Sequence, residues 1–273
     1  MVTLRTIGII TNTQKDAGLA FTRTVAEYLS KKGCRVLLPE SAGEVIYRAA
    51  EALVVLGGDG TILQAARYAA VHDTPLLGIN LGTLGYLTAV ERQEAFPALD
   101  LLLAGGCKRE SRMMLEAAVH DGGDGEPLLA LNDVCVYRGQ FSKLIEITLF
   151  VNGARLDTFR ADGVLIATPT GATAYNLAAG GPILKPDSEM IAITAICPHT
   201  LYTRPWVLPA ADEITVQLSG CQEESLLVVD GQNRGSLAEG SRVTVRRSAY
   251  HATILKVKDL DFFSILRQKM AWN

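Results

Sequence analysis

The run Gly57-Gly58-Asp59-Gly60-Thr61 constrains this chain more than any other stretch. It follows the apolar segment Ala52-Leu53-Val54-Val55-Leu56 and precedes Ile62-Leu63-Gln64-Ala65-Ala66-Arg67-Tyr68, which reads as a helix. A buried strand therefore ends in a glycine turn, and the turn opens a helix. Backbone N–H groups at such a junction face an anion at the positive end of the helix dipole. The glycines leave room for phosphate oxygens, and the Asp59 carboxylate sits at the tip. A phosphate site with an acid in its centre suggests phosphoryl transfer. The turn lacks the Gly-Lys-Ser/Thr ending of a Walker A loop and is not G-x-G-x-x-G. Taken alone, it is also compatible with an ordinary strand-to-helix turn in which Asp59 caps the helix.

The flanking pattern sets the fold class. Thr6–Ile10, Arg35–Pro39, Leu53–Leu56 and Pro75–Asn80 are apolar strands, and Ala20–Lys31 carries Phe21, Val25 and Leu29 at helical spacing before Gly33 stops it. Continuous apolar strands alternating with helices predict a parallel sheet covered on both faces, with ligand beyond the strand carboxyl ends. From about Arg109 strand-like runs follow one another: Met114–Val119, Leu129–Tyr137, Leu144–Val151, Gly163–Ala167, Glu213–Leu218 and Arg242–Arg247. Helical periodicity survives only near Ala172–Ala179, until Phe262–Arg267 looks helical again. The expected architecture is an α/β domain over residues 1–108, a β-rich domain over 109–258, and a segment from about 259 to 273 that packs back on the first domain.

Composition excludes several classes. A net charge near −3 with interspersed signs does not suit a general nucleic-acid binder. No apolar run reaches the roughly 18 residues of a membrane span, and the first residues run straight into a strand rather than a signal peptide. The expectation is a cytoplasmic protein without membrane or nucleic-acid partners. The five cysteines form no C-x-x-C pair, so buried thiols are expected rather than zinc.

A second cluster lies a hundred residues after the first. Arg160 to Pro182 reads RADGVLIATPTGATAYNLAAGGP, rich in small hydroxyl residues, breakers and one tyrosine. Such a loop can hydrogen-bond a nucleoside and stack on it. Together, Gly57–Thr61, Gly82–Leu87, Asn132-Asp133, Asp162-Gly163, Thr168–Pro182, Pro198-His199-Thr200 with Arg204-Pro205, and Asp230-Gly231-Gln232 resemble, in that order, the prokaryotic-type NAD kinases, from about Ile7 to the C-terminus. The glycine-Asp turn alone is shared with diacylglycerol and sphingosine kinases; the threonine/tyrosine loop preceded by Asn-Asp is more specific.

The resemblance implies a Rossmann-like N-terminal domain, a β-rich C-terminal domain, and transfer of a phosphoryl group from ATP or polyphosphate to the adenosine-ribose 2′-hydroxyl of NAD. Asp59 matches the proton acceptor, and Gly60 would offer backbone contacts. Asn132 would read adenine and Asp133 hold a ribose hydroxyl; the family often carries Glu at the latter place, so Asp133 reaches less far. Tyr86 would pack on the nucleoside, or serve as a core aromatic. Arg160 would touch phosphate, or form a surface ion pair. Asp162 would serve a neighbouring subunit's pocket. Thr170, Thr173, Ala174, Tyr175, Asn176, Leu177 and Ala178 would line the nucleoside pocket, with Ala172 and Ala178 replacing frequent serines. Lys143, Cys197 and Gln232 match peripheral contacts, with backbone the contact at Cys197, and His199 approaches phosphate or holds a structural bond. A divalent cation such as Mg²⁺ would arrive with the donor rather than in a protein cage. The many strand edges of the β-rich half, like the resemblance, predict a homodimer or homotetramer. The rival readings are a lipid kinase, which needs an apolar acyl pocket that the polar Thr168–Asn176 loop does not suit, and a catalytically silent NADP-binding sensor, which has no use for Asp59.

Overall fold

A computed structural model describes residues 4–82, 85–88, 90–120, 126–139, 144–200, 202–220, 225–258 and 261–270. The chain forms two compact units, Met1–Arg112 with Tyr250–Asn273, and Met113–Ala249.

The first unit is built on parallel strands. Arg35–Leu37, Thr6–Thr11, Ala52–Gly57 and Leu76–Asn80 lie side by side in that order, all parallel. The short strand Val90–Glu91 also pairs with Leu76–Asn80, and Ile254 pairs with Leu76. Every residue of Ala52–Gly57 and of Leu76–Asn80 is buried, as expected for strands covered on both faces. Helix Ala20–Lys31 sinks Phe21, Val25 and Leu29 into this core, each worth about 1.5–3 kcal/mol. Asp16, itself buried, starts that helix: its carboxylate accepts Phe21 N–H at 3.0 Å and Thr22 N–H at 2.8 Å. Helix Asp59–Val71 buries mostly alanines (Ala65, Ala66, Ala69, Ala70), which lets it approach the sheet closely. The strand expected over Arg35–Pro39 stops at Leu37, because Pro39 opens a short helix, Pro39–Ala42, at a position where its missing N–H costs nothing.

The second unit is antiparallel. One six-stranded sheet runs in the order Trp206–Pro209, Met190–Ile196, Gly163–Ala167, Asp133–Arg138, Ser225–Val229, Gln232–Leu237. Its inward residues, among them Val134, Val136, Val164, Ile166 and Leu227, share one core with Ile147, Leu149, Ile214, Val216 and Val243 from the strands Ile145–Val151, Ile214–Ser219 and Arg242–Lys256. Among its described residues, helix is limited to the 3-10 turn Gly171–Thr173 and the single turn Tyr175–Ala178.

Two further features differ from the sequence pattern. The single run expected over Leu129–Tyr137 breaks into Leu128–Ala130 and Asp133–Arg138, because the backbone N–H groups of Leu131, Asn132 and Asp133 turn to the Asp230 carboxylate instead of a neighbouring strand. The units divide at Arg112/Met113 and Ala249/Tyr250 rather than at 108/109 and 258/259. The long strands Lys108–Val119 and Arg242–Lys256 run through Arg112/Met113 and Ala249/Tyr250, so neither division falls at a turn. The C-terminal helix Phe262–Met270 belongs to the first unit, and its Leu266 is buried. Among the described residues no helix is long and apolar enough to cross a membrane.

Candidate active site

In the first unit the strand Ala52–Gly57 delivers the chain to the glycine turn. Gly58 is extended at the head of helix Asp59–Val71, and its N–H reaches Thr61 Oγ1 at 3.4 Å. The Asp59 carboxylate does not cap its own helix. It spans to the loop that follows Leu76–Asn80: Oδ2 accepts Tyr86 N–H at 2.7 Å, while Oδ1 accepts Leu87 N–H at 3.0 Å, Thr88 N–H at 3.1 Å and Thr88 Oγ1–H at 3.2 Å. Gly85 permits this approach, since a Cβ there would lie 1.9 Å from Asp59 Oδ1. Among the described residues Oδ1 is saturated, whereas Oδ2 takes one bond and keeps a free acceptor direction. Gly60 behaves differently: a Cβ there would meet nothing within 4 Å. A glycine near a helix start loses up to about 1 kcal/mol against alanine, and the packing gives nothing in return. The space beside it belongs to a cavity of about 470 Å³ lined by residues 10–15, 58–61 and 64.

Tyr86 is half-buried, with the Lys269 ammonium 6.0 Å from its ring centre. Burial, and then the Asp59 charge, push its phenol above the usual range. Asn80 presents Oδ1 to Gly82 N–H at 2.9 Å, and its buried Nδ2 has no partner among the described residues.

In the second unit a hydrogen-bonded knot holds the Asn-Asp pair and the threonine loop together. Asp230 and Gly231, both with positive φ, form the two-residue hairpin between Ser225–Val229 and Gln232–Leu237. The Asp230 carboxylate accepts Leu131 N–H at 3.0 Å, Asn132 N–H at 2.7 Å and Asp133 N–H at 3.2 Å. Asn132 O accepts Thr168 N–H at 2.8 Å, and Thr168 Oγ1 donates to Leu131 O at 2.6 Å and accepts Gly171 N–H at 3.0 Å. A Cβ on Gly171 would stand 2.1 Å from Asn132 O, so only glycine lets the two segments touch. Asp133 is buried, and desolvation together with the Asp230 charge pushes its carboxyl up to about 7.

The comparisons with known proteins agree with one another. The family described as the ATP-NAD kinase N-terminal domain matches residues 40–107, and the ATP-NAD kinase C-terminal domain matches residues 131–257. A curated NAD kinase of Moorella thermoacetica is 41% identical over 98% of this chain and 89% of its own. That of Caldanaerobacter subterraneus subsp. tengcongensis is 39% identical over 98% and 99%. The chain belongs to the NAD kinase family.

Among solved structures, yeast NADH kinase complexed with NADH superposes with a TM-score of 0.85 at 26% identity, covering 99% of this chain and 89% of that one. An Archaeoglobus fulgidus NAD kinase in complex with ATP superposes with a TM-score of 0.79 at 26% identity, covering 97% and 98%. Both the α/β first unit and the β-rich second unit are therefore those of the NAD kinase fold, as the sequence pattern predicts.

The structure sorts the residues that sequence singled out. Asp59, Gly60 and Tyr86 gather at the glycine turn of the first unit. Asn132, Asp133, Thr170, Thr173, Ala174, Tyr175 and Ala178 gather around the knot of the second, where Tyr175 is 46% exposed while Thr170 is buried. Asn176 is wholly buried and its side chain serves the fold: Nδ2 donates to Ala172 O at 3.3 Å and Pro182 O at 3.2 Å, and Oδ1 accepts Thr194 Oγ1–H at 2.7 Å. The Asp162 carboxylate pairs with Arg138 Nε of the same unit at 2.6 Å. Arg160 is exposed and hands its carbonyl to His199 N–H at 2.8 Å. Cys197 is exposed with φ 47°. Gln232 Oε1 accepts Arg234 Nη2–H at 2.9 Å, Leu177 is half-buried, and Lys143 lies outside the described residues.

Sequence reasoning missed the work done by Asp230 and Arg138. The Asp-Gly pair signals a hairpin, but not the carboxylate's grip on residues a hundred positions earlier. Arg138 carries no local signal.

Proposed function

We propose that this chain transfers a phosphoryl group to the adenosine-ribose 2′-hydroxyl of NAD, making NADP. The observation that carries the reading is Gly60, a glycine that packing does not require, beside the anchored Asp59 and an open cavity. Asp59 Oδ2 accepts the hydroxyl proton through its free direction, and the anchored carboxylate chiefly orients the nucleophile, as suits a loose transition state. The hydroxyl oxygen bonds the γ-phosphorus, the bond to the leaving diphosphate breaks with its electron pair going to that diphosphate, and the proton passes to solvent. Asn132 and Asp133, held by Asp230, grip the adenosine half, and the exposed face of Thr173–Ala178 lines the nucleoside pocket. Asn176 acts there through its backbone.

A divalent cation, Mg²⁺ by its hardness, travels with the donor's phosphates. The described residues contain no cluster of three or more His, Cys, Asp or Glu that could hold it, and the Asp59 carboxylate is already bonded four times. When bound it neutralises phosphate charge. ATP is the first choice of donor and polyphosphate the second. The working form is a homo-oligomer in the cytoplasm; Met190, Trp206 and Val207 on adjoining strands at one sheet edge, each about two-fifths exposed, favour self-association.

Incubation of the purified protein with NAD, ATP and Mg²⁺ tests the reading. NADP and ADP should appear one for one, and the absence of NADP with both ATP and polyphosphate would overturn it.

A further inference from the structure

The loop after strand Thr6–Thr11 has no part in the function described so far. Asn12 N–H donates to Leu56 O at 2.8 Å, and the Asn12 side-chain carbonyl accepts Gln14 N–H at 3.0 Å and Lys15 N–H at 3.2 Å. Asp16 then closes the loop by capping the following helix. The backbone at Lys15 is thereby held on both sides, while its side chain is exposed.

That side chain reaches over the glycine turn. A Cβ on Gly58 would lie 3.1 Å from Lys15 Nζ, and one on Gly82 would lie 3.5 Å from it. The ammonium therefore stands above two glycines at the carboxyl ends of two adjacent parallel strands. Asn12, Lys15, Gly58, Asp59, Gly60 and Gln64 all face the same cavity of about 470 Å³. No carboxylate pairs with Lys15 among the described residues. Among the described residues no aromatic ring lines the cavity, which leaves it without an aromatic platform for a base.

We infer that Lys15 binds the phosphate chain of the phosphoryl donor, and that this cavity recognises the donor by its phosphates rather than by its base. The inference rests on the phosphoryl-transfer reading above and adds a donor-binding residue to it. An ammonium offers three rotatable N–H donors to phosphate oxygens, and a charged pair of this kind is about twice as strong as a neutral hydrogen bond. As the γ-phosphorus leaves its bridging oxygen, negative charge gathers on the diphosphate, and Lys15 neutralises it without giving up a proton.

The test uses the full chain with Lys15→Met and Lys15→Arg. Titration calorimetry with ATP and with inorganic tripolyphosphate, without NAD, should show affinity for both falling about tenfold or more in Lys15→Met and largely kept in Lys15→Arg. In turnover, KM for ATP should rise in Lys15→Met while KM for NAD holds. Because Lys15 is exposed, the unfolding midpoint should not move; were it to drop, Lys15→Glu at matched stability replaces Lys15→Met, with a larger loss expected. Wild-type affinity for ATP and tripolyphosphate in Lys15→Met, or no binding of either by the wild type, would overturn the inference even if NADP is made. Lys15-dependent tripolyphosphate binding by a protein that makes no NADP would overturn the reaction and leave the anion site standing.

Discussion

Asp59 Oδ2 accepts the backbone N–H of Tyr86 at 2.7 Å, so the acid of the glycine turn is also the anchor of a loop 27 residues away. One carboxylate thus positions itself by the bonds it makes to the protein, and keeps one acceptor direction for a substrate.

Replacing it by Asn keeps the size and loses acceptor capacity. Asp59→Asn should lower turnover roughly 10²–10⁴-fold, the range for a positioned proton acceptor, and weaken NAD binding much less. Hydrogen exchange at Tyr86, Leu87 and Thr88 reports the anchoring role separately. Near-normal turnover would remove Asp59 from the mechanism, whatever the exchange shows.

Gly85 makes the anchor geometrically feasible. Gly85→Ala forces a methyl against Asp59 Oδ1. Stability should fall by about 1–3 kcal/mol and activity with it. Unchanged denaturant midpoint and unchanged rate would mean that the loop does not need Asp59 at this distance.

Asp133 predicts an unusual pH response. Its folded carboxyl is pushed up to about 7, by burial and then by Asp230, against an ordinary value of 3.8. Between these limits the folded protein holds a proton that the unfolded chain releases. This group's contribution is therefore greatest in acid, and stability falls as pH rises from about 4 to 7, by up to roughly 1.4 kcal/mol per pH step. Asp16 runs the other way. Burial alone would raise its carboxyl, but hydrogen bonds from Thr22 and Phe21 outweigh that and lower it, so its contribution is lost as pH falls through the folded value. Urea midpoints of wild type and Asp133→Asn between about pH 4 and 8 isolate the Asp133 contribution, because that of Asp16 changes only below its ordinary 3.8, and an identical pH profile in both proteins would contradict the assignment.

Asp162 tests the shared site of a homo-oligomer. If it completes a neighbour's pocket, mixing inactive Asp59→Asn with inactive Asp162→Ala should recover part of the activity after subunit exchange. No recovery despite exchange, or a fully active species of single-chain mass, would count against a shared site. The Arg138 pair predicts in addition that Asp162→Asn keeps more activity than Asp162→Ala, since the amide oxygen still accepts from Nε.

The sequence by itself determined the two architectures and the place of the glycine turn. Fully apolar strands such as Ala52–Leu56 must be covered on both faces, and glycines at a strand's end followed by helical periodicity leave the chain one local course. These are short-range properties, and residues near one another in the chain decide them. What Asp59, Asn176 and Asp230 do with their polar atoms was decided only by tertiary structure. Asp59 reads locally as a helix cap and instead holds residues 86–88. Asn176 sits in a nucleoside-like loop, yet its buried amide is used up by Ala172, Pro182 and Thr194. Asp230 ends a hairpin and breaks a strand nearly a hundred residues earlier. Most polar atoms shielded from water find a partner, and the nearest one is set by which strands the sheet places side by side rather than by sequence distance.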